Sequence, residues 1–498
     1  MAAGAEAGGL WRRKPIERLT RDAEAGEHAL HRTLGPLSLI GLGIGAIIGA
    51  GLFSLTGIAA AEHAGPAVVI SFAIAALGCA FAGMCYSELA SMIPVSGSAY
   101  TYAYATMGEF IAWIIGWDLV LEYAVGAATV SVSWSKYVVT LLQDWGITLP
   151  ARLVHSPFET VQLADGTTVH GLVNLPAALI LVLISLLLVR GVRESARVNA
   201  VIVVVKVAVV LTVIGVGAFY VKGQNYVPFI PANTGTFGEY GWSGIMRAAG
   251  VVFFAYIGFD AVSTAAQEVK NPQRNMMIGI LGSLAICTVL YIAFAAVLTG
   301  LVPYATMKGD AAPVATAIQQ TPFPWLQTLV TLGVIGGFTT VMLVLLYGQS
   351  RVFYAMAQDR LLPRFFATLH PTWRTPYRSH LFFMVLAALL GGFLPISELG
   401  HMTSIGTLLA FVIVCAGVII MRRTHPEVER GYRTPLVPFV PIAGIVVCLA
   451  MMVSLDGETW LRLVIWLAIG LAIYFGYSRS HSRVGRDEAL GAATARQK

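Results

Sequence analysis

Residues 41–53 read Gly-Leu-Gly-Ile-Gly-Ala-Ile-Ile-Gly-Ala-Gly-Leu-Phe. Glycines stand at 41, 43, 45, 49 and 51 in an otherwise apolar stretch. Each costs a helix about 1 kcal/mol relative to alanine, so their density needs a reason. One reading is close packing, since small residues let neighbouring helices approach. The other is a helix interrupted at Gly49-Ala50-Gly51. Such a break exposes backbone carbonyls and the N-terminus of the next half-helix inside a membrane, ligands for an ammonium and a carboxylate respectively.

Either reading needs a membrane, and the composition supplies it. Apolar residues make up 57% of the 498-residue chain, charged residues 12%, and the mean hydropathy is +0.75. Soluble domains carry about 25% charged residues. The apolar residues form continuous runs, such as 179–189 and 381–394, without the alternation of barrel strands. Backbone groups in lipid must be satisfied within the segment, so continuous runs span as helices. The chain reads as an all-α integral membrane protein of about twelve transmembrane helices between residues 37 and 478.

Loop charges orient it. Arg190, Arg193 and Arg197, then Lys270 and Arg274, then Arg360, Arg364, Arg374 and Arg378, then Arg422, Arg423, Arg430 and Arg433 fall in every second loop. The positive-inside rule puts those loops and both termini in the cytoplasm. The basic residues before Leu37 read as a retained cytoplasmic segment rather than a removable signal peptide. The net charge of +6 is topology and not a nucleic-acid surface, because the basic residues sit in short loops. Five cysteines, all in apolar runs without CxxC spacing, read as buried small hydrophobes. Neither HExxH nor GxSxG occurs, and the histidines are scattered. No enzyme, metal or cofactor is expected.

A second interruption lies in Gly250-Val-Val-Phe-Phe-Ala-Tyr-Ile-Gly-Phe-Asp260, where Gly258 and Asp260 break an apolar span near its middle. Broken helices in corresponding positions of two halves point to a transporter site. Spans one and six correspond if the core is a five-plus-five inverted repeat. Ionisable residues within spans are few. An intramembrane charge is costly and is read first as functional. Lys206 lies mid-span, between Val203-Val-Val205 and Val207-Ala-Val-Val210. Asp118 and Glu122 share one face of span three. Asp260 is placed to cap the second half of span six.

With these residues in view the chain resembles a bacterial member of the amino acid–polyamine–organocation (APC) superfamily, close to its cationic amino acid transporter branch. The resemblance runs from about Leu34 to Arg433. It rests on the glycine-rich first span, Tyr86-Ser-Glu-Leu-Ala90, Pro94-Val-Ser-Gly-Ser-Ala-Tyr100, Gly258-Phe-Asp260, Glu268-Val-Lys-Asn-Pro-Gln-Arg274 and Tyr354-Ala-Met-Ala-Gln-Asp-Arg-Leu-Leu-Pro363. Three positions depart from the family pattern. Gln267 stands where a second glutamate is common, Arg360 where glycine is usual, and Ala50 where many relatives carry a hydroxyl.

The resemblance implies the fold of sodium-coupled amino acid transporters, with broken helices one and six and two extra helices. The implied organisation is a cytoplasmic segment 1–34, a first repeat 35–222, a second repeat 240–423, two further spans within 436–480, and a cytoplasmic tail 481–498. It further implies proton-coupled import of L-amino acids, cationic or small neutral such as alanine, across the bacterial inner membrane. An amino acid or polyamine exchanger on the same fold is the alternative. The expected substrate site comprises Ile47, Ile48, Gly49, Ala50, Gly51, Phe254, Ala255, Tyr256 and Ile257. Carbonyls of Ile47, Ile48, Phe254, Ala255 and Ile257 would hold the ammonium, and amides at Ala50 and Gly51 the carboxylate. Phe254 is the expected gating aromatic. Lys206 would take the place of a sodium ion beside helix one, or else be an ammonium satisfied by that helix's carbonyls. Glu122 and Asp260 join it as proton-coupling candidates, and Thr339 and Met342 are the candidates for side-chain preference. The expected partners are the amino acid, the proton and the bilayer, with a small membrane subunit left open.

Overall fold

A computed structural model describes residues 9–15, 34–93, 98–162, 168–191, 196–264, 269–310 and 312–486. Residues 94–97 of the Pro94–Tyr100 motif, Gln267 and Glu268 lie outside these. The described chain is helical apart from one small hairpin on the long polar loop. There β1 (Thr160–Gln162) pairs antiparallel with β2 (Thr168–His170).

The first span is broken. Helix α1 (Pro36–Ile47) ends at Ile48, whose ψ of 105° is extended. The chain then re-enters a helix that is π-helical over Gly51–Leu55 and again over Ala60–Ala64. Helix α2 (Val68–Met92) follows, then the short α3 (Ser98–Thr106). The third span is α4 (Glu109–Val120), a π-helical turn over Leu121–Val125, and α5 (Gly126–Asp144). Next come α6 (Leu175–Val189) and α7 (Ala196–Gly217). The sixth span is broken as well. Helix α8 (Gly241–Val252) tightens to a 3₁₀ turn over Phe253–Tyr256, extends at Ile257, and resumes as α9 (Ala261–Thr264). The chain continues through α10 (Pro272–Leu301), α11 (Pro313–Ile318), α12 (Pro324–Gln358), α13 (Tyr377–Phe393), α14 (Ile396–Thr424), α15 (Phe439–Ser454) and α16 (Gly457–Ile473).

Proline starts many of these helices. It occupies the first or second position of α1, α6, α10, α11 and α12, where no intrahelical N–H is lost. Among the described residues seven helices are long and apolar enough to cross a membrane. Four shorter apolar ones accompany them: α1, α6, α13 and α15. Large apolar side chains on the outer faces, such as Val204, Leu211, Val289, Val385 and Val464, are exposed. That is the inversion a lipid-facing surface requires. Helix α10 packs on α1 and α2, α12 on α5, α13 on α6, and α14 on α15.

The arginine-rich loops gather at one end. Thr375 donates to the Val189 carbonyl, the Lys270 amide to that of Leu34, and Gly431 abuts Gln273. At this end Glu88 accepts from Arg422 (2.7 and 2.9 Å), Arg430 (3.2 Å) and the Thr434 amide (2.7 Å), tying α2 to the loop after α14. Lys14 pairs with Asp359 at 3.0 Å, and Tyr100 donates to the same carboxylate. Arg360, the departure from the family's glycine, adopts φ of 61°. The backbone there takes the left-handed form that glycine adopts without strain.

Candidate functional site

The two breaks touch. Gly51 lies so close to Ala255 that a Cβ on it would meet that residue's Cα, amide nitrogen and Cβ. Reciprocally, Gly258, at φ of 108°, lies against the Ala46 carbonyl, and a Cβ there would stand 3.0 Å from that oxygen. These two glycines have no room for a side chain, and Gly258 also has a backbone that L residues rarely adopt.

Between the breaks lies a small cavity of about 20 Å³. Ala46, Ile47, Gly49, Ala50 and Gly51 line it from the first break, Phe254 and Ile257 from the second. Span three contributes Glu122, Gly126 and Val130, and α12 contributes Val341 and Leu345. The volume admits about one water molecule, and Phe254 is buried on its wall. Glu122 sits in the π-helical turn of span three, and π-bulges inside α-helices mark functional positions. Gly126 and Val130 follow Glu122 at intervals of four and share its face on the cavity wall.

Sequence-level candidates fall in three groups. Ile47, Gly49, Ala50, Gly51, Phe254, Ile257 and Glu122 meet at this cavity. Ile48, Ala255 and Tyr256 are buried beside it and do not line it. Tyr256 turns away and donates to the Phe72 carbonyl at 3.1 Å. Thr339 and Met342 do not line it either. Thr339 accepts from the Trp134 indole at 3.1 Å and donates to Ile335 at 2.9 Å, while Val341 and Leu345 face the cavity. One helical turn separates Val341 from Leu345, and Thr339 lies on another side of α12.

The carbonyl end of α1 carries the negative end of the helix dipole, and side chains donate to its Gly45 and Ile47 carbonyls. The Lys206 ammonium donates to Gly45 at 2.6 Å. Its stem lies on Gly337 of α12, where a Cβ would come within 3.0 Å of it. Gly258 covers Ala46, and the Tyr291 hydroxyl from α10 reaches Ile47 at 2.9 Å. That hydroxyl also reaches Ala255 at 3.0 Å, so it bridges both broken helices with one shared proton. Two of the five carbonyls expected to receive an ammonium therefore already accept from Tyr291. A third, Phe254, accepts the Ile257 amide at 3.2 Å. Each carbonyl keeps a second lone pair, so Tyr291 fixes the direction of these groups. No motif marks Tyr291. Its one signal was a phenol in the middle of an apolar span, a group that needs a polar partner when buried.

Asp260 accepts from Tyr123 of span three at 2.9 Å, directly after Glu122 in sequence. Glu122 lies within electrostatic reach of Asp260 and Asp118, and the Thr407 hydroxyl of α14 faces it. On the far side of the cavity Tyr137 donates to the Phe53 carbonyl at 2.7 Å, fixing the outer half of span one to span three. Backbone of both breaks and the Glu122 carboxyl group thus face one small space, with Lys206 held on the end of α1.

The amino acid permease family model matches residues 34–476. The chain is 46% identical to a methylthioribose transporter of Bacillus subtilis (strain 168), over 96% of this chain and 99% of that protein. It is 45% identical to a branched-chain amino acid permease of the same organism, over 96% of this chain and all of that protein. A vacuolar cationic amino acid transporter of Arabidopsis thaliana is 36% identical, over 84% of this chain and 68% of its own length.

Proposed function

This chain belongs to the amino acid permease family, and from that premise we propose that it imports aliphatic L-amino acids across the bacterial cell membrane by proton symport. The observation that carries the reading is the cavity where both broken helices present backbone to one small space. Gly126, Val130, Val341 and Leu345 form its apolar wall, which supports a neutral side chain over a cationic one. Amides heading the outer half-helix receive the carboxylate, with Ala50 offering no hydroxyl. Carbonyls of the breaks receive the ammonium.

The seven long helices, the four short ones and the broken sixth span are read as twelve crossings in a five-plus-five inverted repeat with two added helices. The end bearing the arginine-rich loops is cytoplasmic. Lys206 holds its amine on the carbonyl end of the broken first helix, which supports coupling without sodium. Glu122 and Asp260 are the proton-carrying pair next to the substrate.

Purified protein in liposomes tests this. Branched-chain amino acids should accumulate under an inward proton gradient, and an uncoupler should abolish accumulation. Methylthioribose and arginine, the latter as a cationic amino acid, serve as competitors. Accumulation driven by sodium and indifferent to pH refutes the coupling. Uptake of methylthioribose without amino acid uptake refutes the substrate class. Uncoupler-resistant efflux that depends on external substrate identifies an exchanger instead.

A further inference from the structure

Span three buries Glu109 and Asp118 besides the Glu122 that the proposed transport cycle uses. Asp118 precedes Glu122 by one turn on the same helix face and is 1% exposed. It does not line the substrate cavity. Among the described residues neither of its oxygens has a hydrogen-bond partner.

Among the described residues none forms a salt bridge with Asp118. Across from it α14 offers Gly406, where a Cβ would stand 3.2 Å from Asp118 Oδ1. The charged residues of α14 lie at its two ends, at Glu398 and His401 and at Arg422 and Arg423. On its own span the other ionisable groups are Glu109, Glu122 and Tyr123, with Tyr137, Lys136 and Asp144 farther along toward the opposite end. Glu109 accepts from Tyr104 (3.0 Å) and Tyr474 (3.2 Å) and from Ser482. Glu122 is the acidic group within electrostatic reach of Asp118, and Asp260 lies beyond it. A carboxyl kept for structure is paired, because an unpaired buried one is costly. Asp118 is unpaired and stands between Glu122 and the helix end facing the arginine-rich loops.

We propose that Asp118 is a second proton carrier, through which the proton leaves Glu122 for the cytoplasm. The O–H bond at Glu122 breaks and one forms at Asp118, through a single intervening water, over about 6 Å along the helix axis. One negative charge moves the opposite way. Asp118 then releases the proton to water reaching the inner end of span three. This rests on the proton-symport reading, and the test keeps the two apart.

Asp118→Asn holds the shape and cannot carry the proton. In liposomes the variant should lose proton-driven accumulation at least tenfold. Counterflow of labelled against unlabelled substrate, which needs no net proton release, should fall less than threefold. Asp118→Glu should restore accumulation with a displaced pH profile. Wild-type accumulation by Asp118→Asn overturns the proposal. If that variant does not fold, Asp118→Glu decides, and a wild-type pH profile for it overturns the proposal. A wild-type protein without any proton-driven uptake takes down the symport reading and this inference together.

Discussion

Gly51→Ala and Gly49→Ala add the same methyl group two residues apart, and the structure assigns them opposite outcomes. At Gly51 the new Cβ falls inside contact distance of the Ala255 backbone, which cannot rotate away. Ordinary carbon contacts lie at about 3.5–4.0 Å, so the two broken helices must part by about 1 Å. Overpacking of this kind costs about 1–3 kcal/mol. At Gly49 the nearest atom is Val341 Cγ2 at 3.4 Å, a side-chain contact of ordinary length. Gly51→Ala should therefore lower the melting temperature in detergent by several degrees. It should also reduce uptake at least tenfold, since the carboxylate-binding amides move with the helix. Gly49→Ala should melt close to wild type and show a raised KM, because its methyl group enters the cavity. Equal melting temperatures for the two variants, or a more damaged Gly49→Ala, would refute the packing argument.

Tyr291→Phe removes one hydroxyl shared between Ile47 and Ala255, worth about 0.5–1.5 kcal/mol. It should raise KM several-fold while maximal uptake stays within twofold, and an unchanged KM refutes its aligning role. Glu88→Ala leaves the buried Arg430 guanidinium without its carboxylate and should cost about 3–5 kcal/mol of stability, read from melting. Asp456 caps α16 through the Thr459 amide, and hydrogen bonds from His401 and Thr459 hold its carboxyl well below the usual range. Its stabilisation is complete above the ordinary carboxylate value of about 3.9 and fades as pH falls below it. Asp456→Asn keeps the cap and loses the charge. It should melt below wild type at pH 7, with the gap closing below about pH 4.

Much of the site was legible because it is made of backbone. Glycines that a spanning helix has no use for marked both breaks, and the two prove to be in contact. Lys206 was legible from cost alone, since nothing apolar surrounds a lysine without a partner. The residues that escaped are those whose role depends on rotation about a helix axis. Val341 and Leu345 differ from Thr339 and Met342 only in azimuth, which an evenly apolar helix such as α12 does not encode. Gly126 and Val130, by contrast, follow Glu122 at intervals of four, so ordinary helical counting places them on the same wall. Tyr291 escaped for a different reason. Its partners lie 244 and 36 residues away in the chain, and only the fold brings them to one hydroxyl.

The reciprocal contact, Gly51 on Ala255 and Gly258 on Ala46, also bears on how such chains diverge. A larger residue at one position can be absorbed only if its opposite number shrinks or shifts at the same time. Drift along either helix is then not independent of drift along the other, and the four positions are inherited as one unit. Exchange of the second break alone between distant members should give an inactive hybrid, whereas exchange of both segments together should give a working one.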